Sequence, residues 1–339
     1  MIVLRVALAV PLHRLFDYLW QGESCPVVGQ RVRVLLGSRE CVGVVVEIVN
    51  ESTVPAEQMK QALALLEDLP PLPPDFMALC RFASTYYQSP FGEVVMQALP
   101  AALKRPVAPR RRSARRTVGA TAQPVPVLTA EQKQALHELR AMKGFSPALL
   151  HGVTGSGKTE VYLNVMQDVI EAGGQVLLMV PEINLTPQLE GRVRSRFPEQ
   201  SVVALHSALA EAERERNWRA AFIGSADIVL GTRLAVFTPM PRLKLIVLDE
   251  EHDPSFRQQD GMRYSARDLA VFRASDLGIP IVLGSATPAL ETWANAVNGR
   301  YRLLQLKERA HREARLPEVR LIDTRSLVLQ EGFSSALID

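Results

Sequence analysis

The strongest chemical signal in the sequence is the run Gly152-Val153-Thr154-Gly155-Ser156-Gly157-Lys158-Thr159. It fits G-x-x-x-x-G-K-[ST], a phosphate-cradling loop. Glycines let the backbone curl so that several N–H groups point inward. Those groups, with the positive end of the helix that follows, hold phosphate oxygens. In such a loop Lys158 reaches the β- and γ-phosphates and the Thr159 hydroxyl ligates magnesium, so ATP and Mg2+ are the expected ligands. A phosphate cradle needs a partner carboxylate. Leu245–Leu248 is an apolar run that ends in Asp249-Glu250-Glu251-His252. Asp249 would hold magnesium as a Walker-B aspartate, and Glu250 would be the base that orients the attacking water. Lys158, Asp249 and Glu250 are therefore the candidate catalytic residues.

These groups need a scaffold that brings two distant loops together. From Leu128 onward, short apolar runs alternate with amphipathic stretches. Thr129 with Gln132 three residues later predicts a capping box and a helix after it. Strands are expected at Ala148–His151, Gln175–Val180, Val202–Leu205, Asp227–Leu230, Leu245–Leu248 and Ile279–Leu283. Helices are expected at 159–171, 186–196, 209–222, 266–276 and 288–297. The alternation predicts an α/β fold with a parallel sheet and helices on both faces. Strands that end in acids put them at the carboxyl edge of the sheet, where the glycine loop also lies.

The rest of the chain reads differently. Residues 1–50 predict β structure at Ile2–Val10, Arg31–Leu36 and Cys41–Val49, and residues 75–88 predict a helix. Of the 339 residues, 47% are hydrophobic and 22% charged, which excludes a disordered or fibrous chain. The net charge of +3 is unevenly spread. Residues 94–130 carry seven basic and no acidic side chains, between two nearly neutral blocks. Proline and clustered arginines (Arg110, Arg111, Arg112, Arg115, Arg116) predict a linker over 104–127. That linker is either a solubilising tether or a nucleic-acid contact. The three cysteines, Cys25, Cys41 and Cys80, are far apart, which argues against a disulfide framework or a cysteine-built zinc site. The apolar start is short and broken by Pro11, so a strand is expected there, and no apolar run is long enough for a membrane span. A soluble, cytoplasmic and nucleoid-associated protein with no membrane partner is expected.

Three further loops follow predicted strands: Val180-Pro181-Glu182, Gly231-Thr232-Arg233 and Gly284-Ser285-Ala286-Thr287-Pro288. In this order they resemble motifs Ia, Ic and III of superfamily 2 helicases. Gln132, twenty residues before the glycine loop, stands where an adenine-reading glutamine would. A closer resemblance, to the primosomal replication-restart helicases, rests on Gly152–Tyr162, Val-Pro-Glu-Ile-x-Leu-Thr-Pro-Gln, Asp-Glu-Glu-His-Asp and Gly-Ser-Ala-Thr-Pro-Ala-Leu-Glu-Thr. It extends to the stretch Gln258–Ala270 and to Val-Pro-Leu-x-Arg14-x-Phe16-Asp17-Tyr18 at the start.

The resemblance implies a RecA-like P-loop lobe preceded by a small β-rich DNA-binding domain. It divides the chain into 1–103 for the 3′-end domain, 104–127 for the linker, 128–316 for helicase lobe 1 and 317–339 for the start of a second lobe. It implies that Phe16, Asp17, Tyr18, Gly37 and Lys60 form a pocket for a DNA 3′ end. There Phe16 or Tyr18 would stack on the terminal base, Asp17 would accept from a sugar hydroxyl and Lys60 would meet a phosphate. It also implies that residues 253–268 are an aromatic-rich loop coupling DNA contact to ATP hydrolysis. Phe256 and Tyr264 would stack on bases there, and Arg257 and Arg263 would meet phosphate. Met262 stands where the family has an aromatic. Thr232, Arg233, His252, Ser285 and Thr287 complete the implied DNA and coupling set.

Two departures from the pattern stand out. The 104–127 link is too short for the family's winged-helix domain. The second lobe begins with a strand expected at Glu318–Ile322 and goes no further, so the zinc expected for the family has no cysteine ligands here. Two functions follow as expectations. One is an ATP-dependent 3′→5′ primosomal helicase that recognises stalled forks and D-loops, restarts replication, and works with branched and single-stranded DNA, primosome proteins and single-strand-binding protein. The other is a fork-binding protein with a nucleotide-binding lobe but no unwinding activity.

Overall fold

The computed structural model describes residues 2–106, 126–310, 322–326 and 330–334. Residues 107–125 of the predicted basic linker, with Arg110, Arg111, Arg112, Arg115 and Arg116, lie outside the described residues. So does the predicted strand at Glu318–Ile322, apart from Ile322, which is not in a strand.

The N-terminal region is built from β1 (Ile2–Ala7), β2 (Phe16–Trp20), β3 (Arg31–Leu36), β4 (Arg39–Val49), β5 (Lys60–Gln61) and β6 (Ala64–Leu66). The strand order is β5-β2-β1-β4-β3-β6. The neighbouring short strands β5 and β6 pair with β2 and β3, the two ends of the four-strand stretch. The sheet thus curls back on itself as a small barrel, which leaves few unpaired edges. Leu4, Val6, Tyr18, Val32, Val34 and Val45 fill its interior. Two helices follow, α1 (Pro74–Tyr86) and α2 (Phe91–Ala98).

The second region opens with α3 (Ala130–Arg140), started by the expected capping box of Thr129 and Gln132. It continues through β7 (Ser146–Gly152), α4 (Lys158–Glu171), β8 (Gln175–Met179), α5 (Pro187–Arg196), β9 (Val202–Leu205), α6 (Glu211–Phe222) and β10 (Ile228–Gly231). It ends with β11 (Leu243–Leu248), α7 (Ala266–Leu277), β12 (Pro280–Ser285), α8 (Leu290–Val297) and β13 (Arg302–Leu306). The sheet is parallel, in the order β13-β7-β12-β11-β8-β10-β9. Its central strands are unbroken apolar runs because both faces are covered. Alternate residues feed opposite cores. Val176, Leu178, Leu245 and Val247 pack with α3 and α4. Leu177, Met179, Ile246 and Leu248 share a core with α6 and α7.

That second core continues into the N-terminal region. Phe76, Leu79, Cys80 and Ala83 of α1 and Val94 and Val95 of α2 belong to it. Phe82 stacks on Phe272 of α7 with ring centroids 3.8 Å apart. Arg219 of α6 meets Asp68 at 2.7 Å, and Asp68 is also paired with the buried Arg31. Burial pushes the Asp68 carboxyl up, but Arg219 and Arg31 outweigh it and hold the group below the usual carboxylate range. The helical hairpin is therefore the joint between barrel and lobe.

Candidate nucleotide and DNA site

The loops that follow β7, β12 and β11 meet at one edge of the sheet because those strands are neighbours. They are the glycine loop, Ser285–Pro288 and Asp249–His252. Farther along the same edge come the loops after β8, β10 and β9, which hold Glu182, Arg233 and His206. Strand order thus places every chemistry-bearing loop on one rim, the carboxyl edge where open α/β sheets take their ligands.

In the glycine loop Gly155 and Gly157 have φ of +80° and +81°, which only glycine adopts without strain. Lys158 is buried and donates to the Gly152 carbonyl at 3.0 Å. Its Nζ lies 3.6 Å from a Glu250 carboxylate oxygen. The two predicted catalytic groups, ninety-two positions apart in sequence, thus face each other. Glu250 itself has φ of +48°, a costly conformation for a residue with a side chain. Burial first, then the neighbouring Glu250, push the Asp249 carboxyl up from the ordinary range, while Lys158 and Tyr162 pull it down. Gln132 is buried against the loop: its amide donates to the Ser156 carbonyl at 2.8 Å while its oxygen accepts from the Thr129 N–H.

His252 ties the carboxylate loop to the loop after β12. Its Nδ1 lies 2.8 Å from Ser285 Oγ and its Nε2 3.1 Å from Thr287 Oγ1. Ser285 is fully buried in that contact, between the carboxylate loop and the loop after β12. Thr232, expected along the DNA track, is buried, so its side chain is not offered to DNA. Arg233 donates to the Ser255 carbonyl at 2.9 Å and the Arg257 carbonyl at 3.1 Å, so it holds the 253–264 loop from below.

That loop overturns a second expectation. Phe256 and Tyr264 are each only 2% exposed, and Tyr264 packs edge-on against Phe237. Met262 is buried with them. Their hydrophobic burial anchors the loop to the core, so neither ring is offered to bases as expected. Arg257 and Arg263 are exposed.

In the barrel the predicted 3′-end residues divide. Lys60 donates to the Gly37 carbonyl and is the register partner of Tyr18. Phe16 lies beneath Arg14, whose guanidinium carbon is 4.9 Å from the ring centre. Tyr18 is buried and donates to the Leu35 carbonyl at 3.0 Å, so it is a core residue and not a stacking surface. Asp17 points to the opposite face of β2, as strand alternation requires. There it accepts from Ser52 and lies 3.8 Å from Arg5. Among the described residues it shares no hydrogen bond with Gly37 or Lys60.

Known proteins match both regions. A family model described as 3′DNA-binding domain (3′BD) covers residues 5–100, and one described as DEAD/DEAH box helicase covers residues 129–296. The replication restart protein PriA of Haemophilus influenzae is 34% identical over an alignment covering 99% of this chain and 56% of that protein. PriA of Treponema pallidum is 32% identical, covering 98% of this chain and 53% of that protein. PriA of Synechocystis is 46% identical over 62% of this chain and 26% of that protein. The chain belongs to the PriA family of replication restart proteins. It spans about half the length of PriA from Haemophilus influenzae and Treponema pallidum. The break between the 3′BD and DEAD/DEAH matches falls at residues 101–128, where the PriA-like barrel gives way to the lobe.

Residues that the motifs did not reveal support this PriA-family site. Glu251 is buried and accepts from the Ala289 N–H at 2.8 Å, the Thr292 hydroxyl at 2.8 Å and Arg267 at 3.2 Å. It therefore joins the carboxylate loop to α7 and α8. Tyr162, deep in α4, donates to Asp249 Oδ1 at 3.1 Å. Burial and the adjacent Asp249 hold its hydroxyl proton tightly. A faint signal existed for both: an acid with no exposed role in Asp-Glu-Glu-His, and a tyrosine on the apolar face of the helix after the glycine loop.

Proposed function

We propose that this chain is the nucleotide-engaging and DNA-engaging part of an ATP-driven 3′→5′ DNA helicase. It would recognise stalled forks and D-loops and initiate replication restart. The observation that carries the reading is one continuous set of contacts. Lys158 faces Glu250 at 3.6 Å, and His252, two residues on, holds Ser285 and Thr287 on the loop after β12. A change at the phosphate end therefore has a mechanical route to the loop after β12.

Lys158 and the loop N–H groups would hold the β- and γ-phosphates. Thr159, in the first turn of α4, and Asp249 fit a magnesium ion. Asp249 Oδ1 is occupied by the Tyr162 hydroxyl and the Glu250 N–H, and Oδ2 accepts no hydrogen bond among the described residues. Magnesium, when bound, neutralises charge that builds on the phosphates. Glu250 would orient water, its backbone held in a strained turn beside Lys158. Phosphoryl transfer needs mainly positioning and charge neutralisation, and these groups supply one half of such a site.

For the DNA end, the 3′BD match supports a pocket around Phe16, Gly37 and Lys60, while Asp17, held by Ser52 and Arg5 on the other face of β2, stands apart from it. Primosome proteins and single-strand-binding protein are the expected partners. The test is strand displacement from a forked duplex by the protein carrying this sequence, with K158A as control. Unwinding that persists in K158A refutes the reading. Tight fork binding with no ATP-dependent displacement at all would leave the fork-binding protein in its place.

A further inference from the structure

Tyr162 is 1% exposed, and its hydroxyl is wedged between two of the site's loops. On one side it donates to Asp249 Oδ1 at 3.1 Å. The same oxygen accepts from the Glu250 N–H at 3.1 Å. Two donors on Oδ1 lock the carboxylate's rotation and leave Oδ2 without a hydrogen bond among the described residues. On the other side lies Gly284, the last glycine before the Ser285–Thr287 loop. A Cβ on Gly284 would overlap the Tyr162 hydroxyl. The Gly284 carbonyl in turn accepts from the Glu251 N–H at 3.0 Å. One phenol thus touches the carboxylate that fits magnesium and the backbone of the loop that His252 grips.

We propose that Tyr162 is a positioning residue: its hydroxyl aims Asp249 for magnesium, and the absence of a side chain at Gly284 is what lets it do so. Tyr162 reaches no phosphate or water itself. It acts through Asp249, and any shift of the β12 loop would be felt by the same hydroxyl. The inference rests on the ATP-site reading above.

The test compares wild type with Y162F, which removes one oxygen and keeps the ring that fills the core. ADP binding is measured by calorimetry in the full chain with and without magnesium, beside melting of the ligand-free protein. Y162F should bind magnesium-free ADP as wild type does, within about twofold, because the glycine loop is untouched. The gain in affinity that magnesium brings should fall about tenfold, the usual effect of losing a hydrogen bond to a charged acceptor. In the metal-free protein, amide exchange across residues 249–252 should quicken severalfold. In a D249N background, Y162F should cost nothing more in the magnesium-dependent gain. A Y162F protein that keeps the full gain overturns the proposal, whatever its melting temperature. A second Y162F loss in the D249N background also overturns it, since the effect would not pass through Asp249. A wild-type chain with no magnesium-dependent gain would remove the ATP site itself, and the proposal with it.

Discussion

The P-loop lobe and the barrel place their candidate groups by opposite means. In the lobe each group sits within a few residues of a strand end, and the parallel sheet lines those ends up on one rim. In the barrel the candidates come from β2, from the turn after β3 and from the short edge strand β5, and strand alternation throws Asp17 to the far face from Tyr18. A site built on neighbouring parallel strand ends is announced by contiguous motifs. A site built across an antiparallel barrel is announced only by register, which no local run of residues reveals.

K158A is the strongest test of that contrast. It should lower nucleotide affinity about a hundredfold, since a charge-assisted contact to phosphate is lost. Affinity for a DNA 3′ end, measured by fluorescence anisotropy, should change by less than about twofold. A parallel loss of DNA-end binding would show that the two sites are not separable. R267A comes next. It leaves the Glu251 carboxylate buried without its cation, and should cost about 3 kcal/mol in chemical denaturation. G284A should cost about 2 kcal/mol, because the new methyl must displace Tyr162 from a packed core. Full stability in G284A would mean that the phenol has room to move.

K60A probes the barrel. It should weaken binding to forks with a free 3′ end by about 1 kcal/mol, and forks with a blocked 3′ end less. Equal loss on both would count against an end-reading pocket. R219A, at the joint, should have the smallest effect, below about 1 kcal/mol, because the Asp68 pair is partly exposed. Its pH dependence has a definite sign. Asp68 titrates lower in the fold than in the unfolded chain, so its stabilisation is present above the ordinary aspartate range. It is lost as the pH falls through the lowered value. The gap between wild type and R219A should therefore close below about pH 4. A gap that widens in acid would contradict the pairing.

Much of the lobe was legible. The capping box at Thr129, the helices after the glycine loop and after Ser265, and six of the seven strands follow from apolar runs and end signals. The missing strand, β13, is a short edge strand in which exposed Arg302 and Gln305 interrupt the apolar residues, so its pattern is weak. In the barrel β2 escaped notice, because Asp17 interrupts a short aromatic run. The helix α2 did too, with Gly92 near its start and only eight residues of length. Phe256 and Tyr264 read equally well as an exposed stacking surface or as core, since an aromatic looks the same in either place. Only the packing of Phe237 and the α1–α2 hairpin against them decides.

The sequence by itself determined the phosphate loop, the Walker-B acids and the α/β alternation that carries them. Those features depend on residues close together in the chain, where backbone freedom, capping and strand-end polarity act locally. The tertiary structure alone decided that Lys158 meets Glu250, that His252 grips Ser285 and Thr287, and that Tyr162 holds Asp249. It also placed the helical hairpin of the first region in the core of the second. Each of these needs strands far apart in sequence to become neighbours, and that order is set by the burial of whole faces rather than by any single motif.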